Sequence, residues 1–134
     1  MSEDVVRTAA CACGSVTAVC RGEPIRRSMC HCLDCQRRTG SVFSVQARFR
    51  TQDVTLAGAV TQFRRTGDSG GVGIMSFCPT CGSTVYWTYE GNTEVVSVAV
   101  GMFADKTFPS PLVSVYEDRM HSWVHVPDDI EHLR

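Results

Sequence analysis

Seven of the eight cysteines fall into three tight clusters: Cys11-Ala-Cys13, Cys30-His-Cys32-Leu-Asp-Cys35 and Cys78-Pro-Thr-Cys81. Thiolates one or two residues apart can turn toward one shared metal ion, whereas loops that short strain a disulfide. The pattern therefore reads as zinc chemistry. The count divides unevenly: four thiols close a tetrahedral site and three leave a coordination position open, which is where catalytic zinc works.

The turns suggest which cysteines belong together. Phe77-Cys-Pro-Thr-Cys-Gly-Ser83 is a zinc-knuckle pattern, with Gly82 free to take the positive φ that such a turn needs. Cys11-Ala-Cys13-Gly14 has the same trailing glycine. Neither two-cysteine half holds zinc alone, so the two halves pair, and the ion would tie the first strand to a much later hairpin. Spacing also permits a second partition, in which Cys32 and Cys35 join Cys78 and Cys81 and leave Cys11, Cys13 and Cys30 spare.

Charge gathers around the middle cluster. Arg26 and Arg27 precede it, and Arg37 and Arg38 follow. Guanidinium groups offset the net negative charge of three thiolates on a zinc dication and can hold the carboxylates of an anionic substrate. Arg27, Arg37 and Arg38 are the candidate substrate contacts; on a short helix the last two point in different directions. His31, His121 and Tyr86 are candidate proton carriers. Cys20 stands outside the clusters and reads as a buried structural thiol. Asp34 reads as a helix-start residue or as an acceptor behind the ligands.

The elements that must position these groups are mostly strands. Apolar and polar residues alternate in Ser15–Cys20, Ser41–Phe49, Val60–Arg65, Thr84–Tyr89 and Glu94–Val100. Breaks at Gly22-Glu-Pro24, Gly67–Gly71, Gly91-Asn92 and Phe108-Pro-Ser-Pro111 separate them. One short helix is expected over Leu33–Thr39, closed by Gly40, with Cys30 and Cys32 in the loop before it and Cys35 on its first turn. Gly67–Gly73 reads as a hairpin loop, with an anion-binding nest as the alternative.

The 134 residues make one domain, 1–134, large enough for a core at 43% hydrophobic residues. A formal net charge of −1 gives no global pull toward nucleic acid or an anionic membrane. Met1–Arg7 has no apolar run of a secretory leader, and no stretch approaches the ~20 apolar residues of a membrane span. The expected compartment is the cytoplasm, where thiols stay reduced.

The ordered set Cys-x-Cys-Gly-x-Val (Cys11–Val16), Cys-His-Cys-x-x-Cys-x-x-x-x-Gly (Cys30–Gly40) and Phe-Cys-x-x-Cys-Gly-Ser (Phe77–Ser83) resembles the glutathione-dependent formaldehyde-activating (GFA) family, which also contains centromere protein V. His121-Ser-Trp123-Val and Val126–Ile130 are similar to that family's ending. The resemblance implies a mainly β fold of several small coiled antiparallel sheets around a structural zinc, with one short helix after the middle cluster. It implies that Cys11, Cys13, Cys78 and Cys81 hold the structural zinc. Cys30, Cys32 and Cys35 would then hold a second, more labile zinc and be the catalytic set. The implied activity is that of a carbon–sulfur lyase, joining or splitting a glutathione-like thiol and a small aldehyde such as formaldehyde. The rival reading is a non-enzymatic zinc-, glutathione- or protein-binding module. A B-type sulfoxide reductase is weaker, because only Cys20 is left as a reactive thiol.

Overall fold

The computed structural model describes residues 5–67 and 69–134. Met1–Asp4, at the start of the stretch without a leader's apolar run, and Asp68 of the glycine-rich segment lie outside the described residues. The chain is mainly β, and its described residues form two sheets. Strands β1 (Val6–Ala10), β2 (Thr17–Arg21) and β5 (Val54–Ala57) form an antiparallel sheet in the order β1-β2-β5. The larger sheet uses β3 (Arg26–Cys30), β4 (Ser44–Arg50), β6 (Thr61–Thr66), β7 (Val72–Phe77), β8 (Thr84–Tyr89), β9 (Asn92–Ala99), β10 (Val113–Val115) and β11 (Glu131–His132). Its order is β11-β10-β3-β4-β9-β8-β7-β6. All its pairings are antiparallel except those of β10, which runs parallel to both β3 and β11.

The alternating segments became strands because alternation gives a sheet one dry face. On β4, Ala47 and Phe49 enter the core while Gln46 and Arg48 face the other way. Core residues from both sheets meet between them: Ala9 and Ala18 from the small sheet, and Phe49, Val85, Val96 and Val98 from the large one. Burial of such side chains contributes about 1.5–3 kcal/mol each.

Helix α1 (Leu33–Thr39) forms over the expected residues. Its N-cap is Cys32, whose sulfur accepts from the Cys35 backbone N–H at 3.3 Å, and Gly40 closes it at φ 71°. One expectation is corrected. Cys30 is the last residue of β3, not part of a loop. Arg26-Arg-Ser-Met-Cys30 has weak strand character, yet it pairs with β4 on one side and β10 on the other. Neighbours on both edges override the local preference.

Candidate metal centre and adjoining pocket

The thiols assemble into two groups, Cys11, Cys13, Cys78 and Cys81 in one and Cys30, Cys32 and Cys35 in the other. The alternative pairing of Cys32 and Cys35 with Cys78 and Cys81 is not formed.

The first group is built by two hairpin loops, one from each sheet. Cys11–Val16 joins β1 to β2, closed by Cys11 N–H to Val16 O at 3.0 Å. Cys78–Ser83 joins β7 to β8, closed by Cys78 N–H to Ser83 O at 3.0 Å. Gly14 (φ 84°) and Gly82 (φ 80°) take the left-handed conformation that each turn requires. Sulfur–sulfur distances are 3.7 Å for Cys11–Cys13 and 3.6 Å for Cys13–Cys78. A tetrahedral site with zinc–sulfur bonds of ~2.3 Å has edges of ~3.8 Å, so the group fits zinc. Backbone N–H groups point at the sulfurs, from Val16 to Cys11 at 3.2 Å and from Thr80 and Cys81 to Cys78 at 3.4 Å. Such donors favour thiolate over thiol. Hydrogen bonding led by the Ser15 hydroxyl lowers Cys78 to about 7, and bonding led by Ser83 lowers Cys81 to about 5.

The second group spans six consecutive residues: a strand end, a bend and a helical turn. Its ligand atoms all lie within 4.8 Å of one another, close enough for one ion. All three cysteines are buried, and Val115 and Tyr116 pack against them. Hydrogen bonds with Cys30 and Cys32, then with Ser44, and the Arg38 charge hold the Cys35 thiol well below its usual range, while hydrogen bonds with Cys32 and Cys35 and burial push Cys30 up.

These thiols open into a cavity of about 260 Å³. Arg26, Arg38, Arg48 and Arg65 line it, against the single lining carboxylate of Asp34 among the described residues. Trp87, Tyr89 and Tyr116 form its apolar wall. The Arg38 guanidinium lies over the Trp87 ring, 4.3 Å from its centroid, and interacts with Cys35. Arg48 donates to Tyr89 Oη at 3.2 Å. Tyr116 adopts φ 57°, a left-handed conformation that a bulky residue rarely takes outside constrained sites.

Of the three arginines expected to contact substrate, Arg38 lines the cavity. Arg27 instead donates to Ser110 O at 2.7 Å, and Arg37 borders an adjoining groove that shares Asp34, Arg38 and Arg65 with the cavity. None of the candidate proton carriers lines the cavity. His31 is fully buried, 2.9 Å from Ser114 Oγ, and burial holds it toward the neutral form. His121 Nε2 sits 3.2 Å from Gln36 Oε1, and Tyr86 packs in the core. Burial pushes the Cys20 thiol up to about 12, so it stays protonated and inert. Among the described residues of the glycine-rich segment, Gly67 and Ser69–Gly71 connect β6 to β7 and Val72 and Gly73 belong to β7; the Gly67 and Gly70 N–H groups are spent on Gly71 O and Gly67 O.

Arg48, Arg65, Trp87 and Tyr116 were not singled out by sequence. The alternation in β4 does place Arg48 opposite Phe49, but nothing local says that this face becomes a cavity.

Two sheets joined through a four-thiol group, with a three-thiol group lining an arginine-rich cavity, define a mainly β, cysteine-rich protein with two clusters that could each hold a metal ion. Residues 6–120 match the family described as glutathione-dependent formaldehyde-activating enzyme. The chain belongs to that family. A solved structure of a Rhodobacter sphaeroides protein shares the fold, with 25% identity, a TM-score of 0.54, and coverage of 71% of this chain and 85% of that one. No curated protein matches the chain closely enough to transfer a function. No helix among the described residues is long and apolar enough to cross a membrane.

Proposed function

We propose that this protein is a carbon–sulfur lyase of the S-(hydroxymethyl)glutathione synthase type, acting on a thiol and a small aldehyde. The observation that carries it is the three-thiol group of Cys30, Cys32 and Cys35 at the floor of an arginine-lined cavity. In the synthetic direction a sulfur–carbon bond forms, the carbonyl π bond breaks, and the thiol proton ends on the former carbonyl oxygen. A zinc ion held by these cysteines would acidify a thiol that reaches it.

The chain's own residues do the rest. Arg38 favours the thiolate form of Cys35. Arg26 and Arg48, which face each other across β3 and β4, supply donors for the thiol's carboxylates. Trp87 and Tyr116 keep water away from the reacting carbon. Asp34 is the carboxylate available to take up the thiol proton and return it. The four-thiol group would hold the structural zinc, and cysteines kept reduced for metal binding suit a cytoplasmic setting.

The test replaces Cys32 with Ser and measures zinc per chain together with thiol-dependent loss of formaldehyde. The expected result is loss of one zinc equivalent, with turnover reduced on the order of 100-fold or more. Unchanged turnover with one zinc lost overturns the proposal. Thiol binding without turnover in the wild type favours the carrier reading.

A further inference from the structure

Two guanidinium groups beside the three-thiol cluster have donors with nothing to bind. Arg38 comes from α1 and Arg65 from the edge strand β6. Arg38 Nε and Nη2 and Arg65 Nε and Nη1 are buried, and none has a hydrogen-bond partner. Buried polar groups in folded proteins are nearly always paired, so four orphan donors on one wall call for an acceptor.

The partners present do not supply it. Trp87 takes the face of Arg38, and Cys35 takes its remaining donor edge. Asp34 Oδ2 is 3.8 Å from Arg65 Nε, too long for a hydrogen bond. The Arg65 charge also reaches Arg38 and opposes it. Arg38 offers the Nε–Nη2 edge as a fork and half-buried Arg65 adds unspent Nε and Nη1 donors, so the two guanidinium groups lining one cavity suit a single oxyanion.

We propose that Arg38 and Arg65 form an oxyanion-binding subsite beside the three-thiol cluster, and that the molecule this cavity turns over carries a carboxylate, sulfonate or phosphate close to its reacting atom. The inference rests on the thiol–aldehyde reading and narrows it. Neutral formaldehyde with a neutral thiol leaves the cradle empty. The anionic group belongs to the aldehyde or to the thiol, and free inorganic oxyanions compete with it.

The probe is sodium sulfate, and the reporter is Trp87 under Arg38. Trp123, the other tryptophan and 64% exposed, is replaced by Phe to clear the signal. At constant ionic strength, sulfate changes Trp87 emission saturably and chloride does not. R65Q weakens that midpoint about tenfold or more, and R65K, which keeps charge but not the fork, falls between. If sulfate acts no differently from chloride, or R65Q titrates as the parent does, the subsite is refuted. Should R65Q fail to fold, competitive inhibition of wild-type turnover by sulfate but not chloride decides the matter.

Two rate comparisons locate the anion. Glyoxylate outpacing formaldehyde with 2-mercaptoethanol puts it on the aldehyde. Mercaptoacetate outpacing 2-mercaptoethanol with formaldehyde puts it on the thiol. Saturable sulfate binding without any turnover removes the lyase reading and leaves the subsite. Turnover that neither sulfate nor R65Q alters removes the subsite and leaves the lyase reading.

Discussion

Replacing Cys13 with Ala isolates the mechanical role of the four-thiol cluster. Cys13 is the exposed member of the set, so its removal opens no cavity in the core. What is lost is the fourth thiol, and with it the closed tetrahedral shell by which zinc would cross-link the β1–β2 and β7–β8 loops; Cys13 and Cys78 are 65 residues apart. A cross-link closing a loop of that length removes unfolded-state entropy worth about 4 kcal/mol. At this chain length the midpoint falls by roughly 3–5 °C per kcal/mol, so C13A melts about 12–20 °C below the wild type. The assay is thermal unfolding with and without a zinc chelator. Chelation brings the wild type down toward C13A and moves C13A much less. Cys20→Ala is the control: it removes a buried thiol outside both clusters and leaves the chelator shift intact. A C13A midpoint within ~3 °C of the wild type, or equal chelator shifts in the two proteins, refutes the cross-link argument.

Two further outcomes follow from the geometry. Gly58 has φ 98°, and a Cβ there would overlap Ser15 O and come within 2.9 Å of Val16 Cα. Gly58→Ala therefore costs at least ~2 kcal/mol and loosens the loop carrying Cys11 and Cys13, read as zinc released to a colorimetric chelator more readily than from the wild type. The C-terminal strand depends on pH through His132 Nδ1, 2.7 Å from Glu117 Oε2. Burial pushes Glu117 up, but bonds from Ser114 and His132 outweigh it and leave it lowered, while Glu117 raises His132. Glu117's contribution is present above its ordinary 4.5 and fades as pH falls through its lowered value; that of His132 is full below 6.5 and fades as pH rises through its raised value. The Leu133 amide, bonded to Ser114 O at 2.8 Å, is thus best protected between those limits. Intrinsic-rate-corrected hydrogen exchange speeds up from about pH 6 to about pH 8, and a flat profile rejects the linkage.

The cysteine partition was legible because ligand number and trailing glycines are local signals. Cys78–Cys81 with Gly82, and Cys11–Cys13 with Gly14, announce their turns without reference to the rest of the chain. Thr84–Tyr89 and Leu33–Gly40 were legible for the same reason, through alternation and a C-terminal glycine. Strand β3 was not, since Arg26–Cys30 becomes a strand only through partners more than a dozen residues away. The arginine wall was hidden too: Arg65 reaches the cavity from an edge strand and Arg38 from a helix, and only the fold brings them together. Tyr116 could not be foreseen on the cluster, because its left-handed backbone is imposed by context.

The two thiol groups differ in how far they reach along the chain. Three thiols lie within six consecutive residues, Cys30 to Cys35, while the other four are split between the two sheets. On the proposed reading, chemistry and architecture are therefore written separately in this gene product. Substitutions in the short segment would retune or abolish the proposed reaction while the two sheets stay joined. A lineage could thus discard that activity and keep the scaffold by changing one short stretch. A change in either hairpin turn would instead weaken the join between the sheets that display the site.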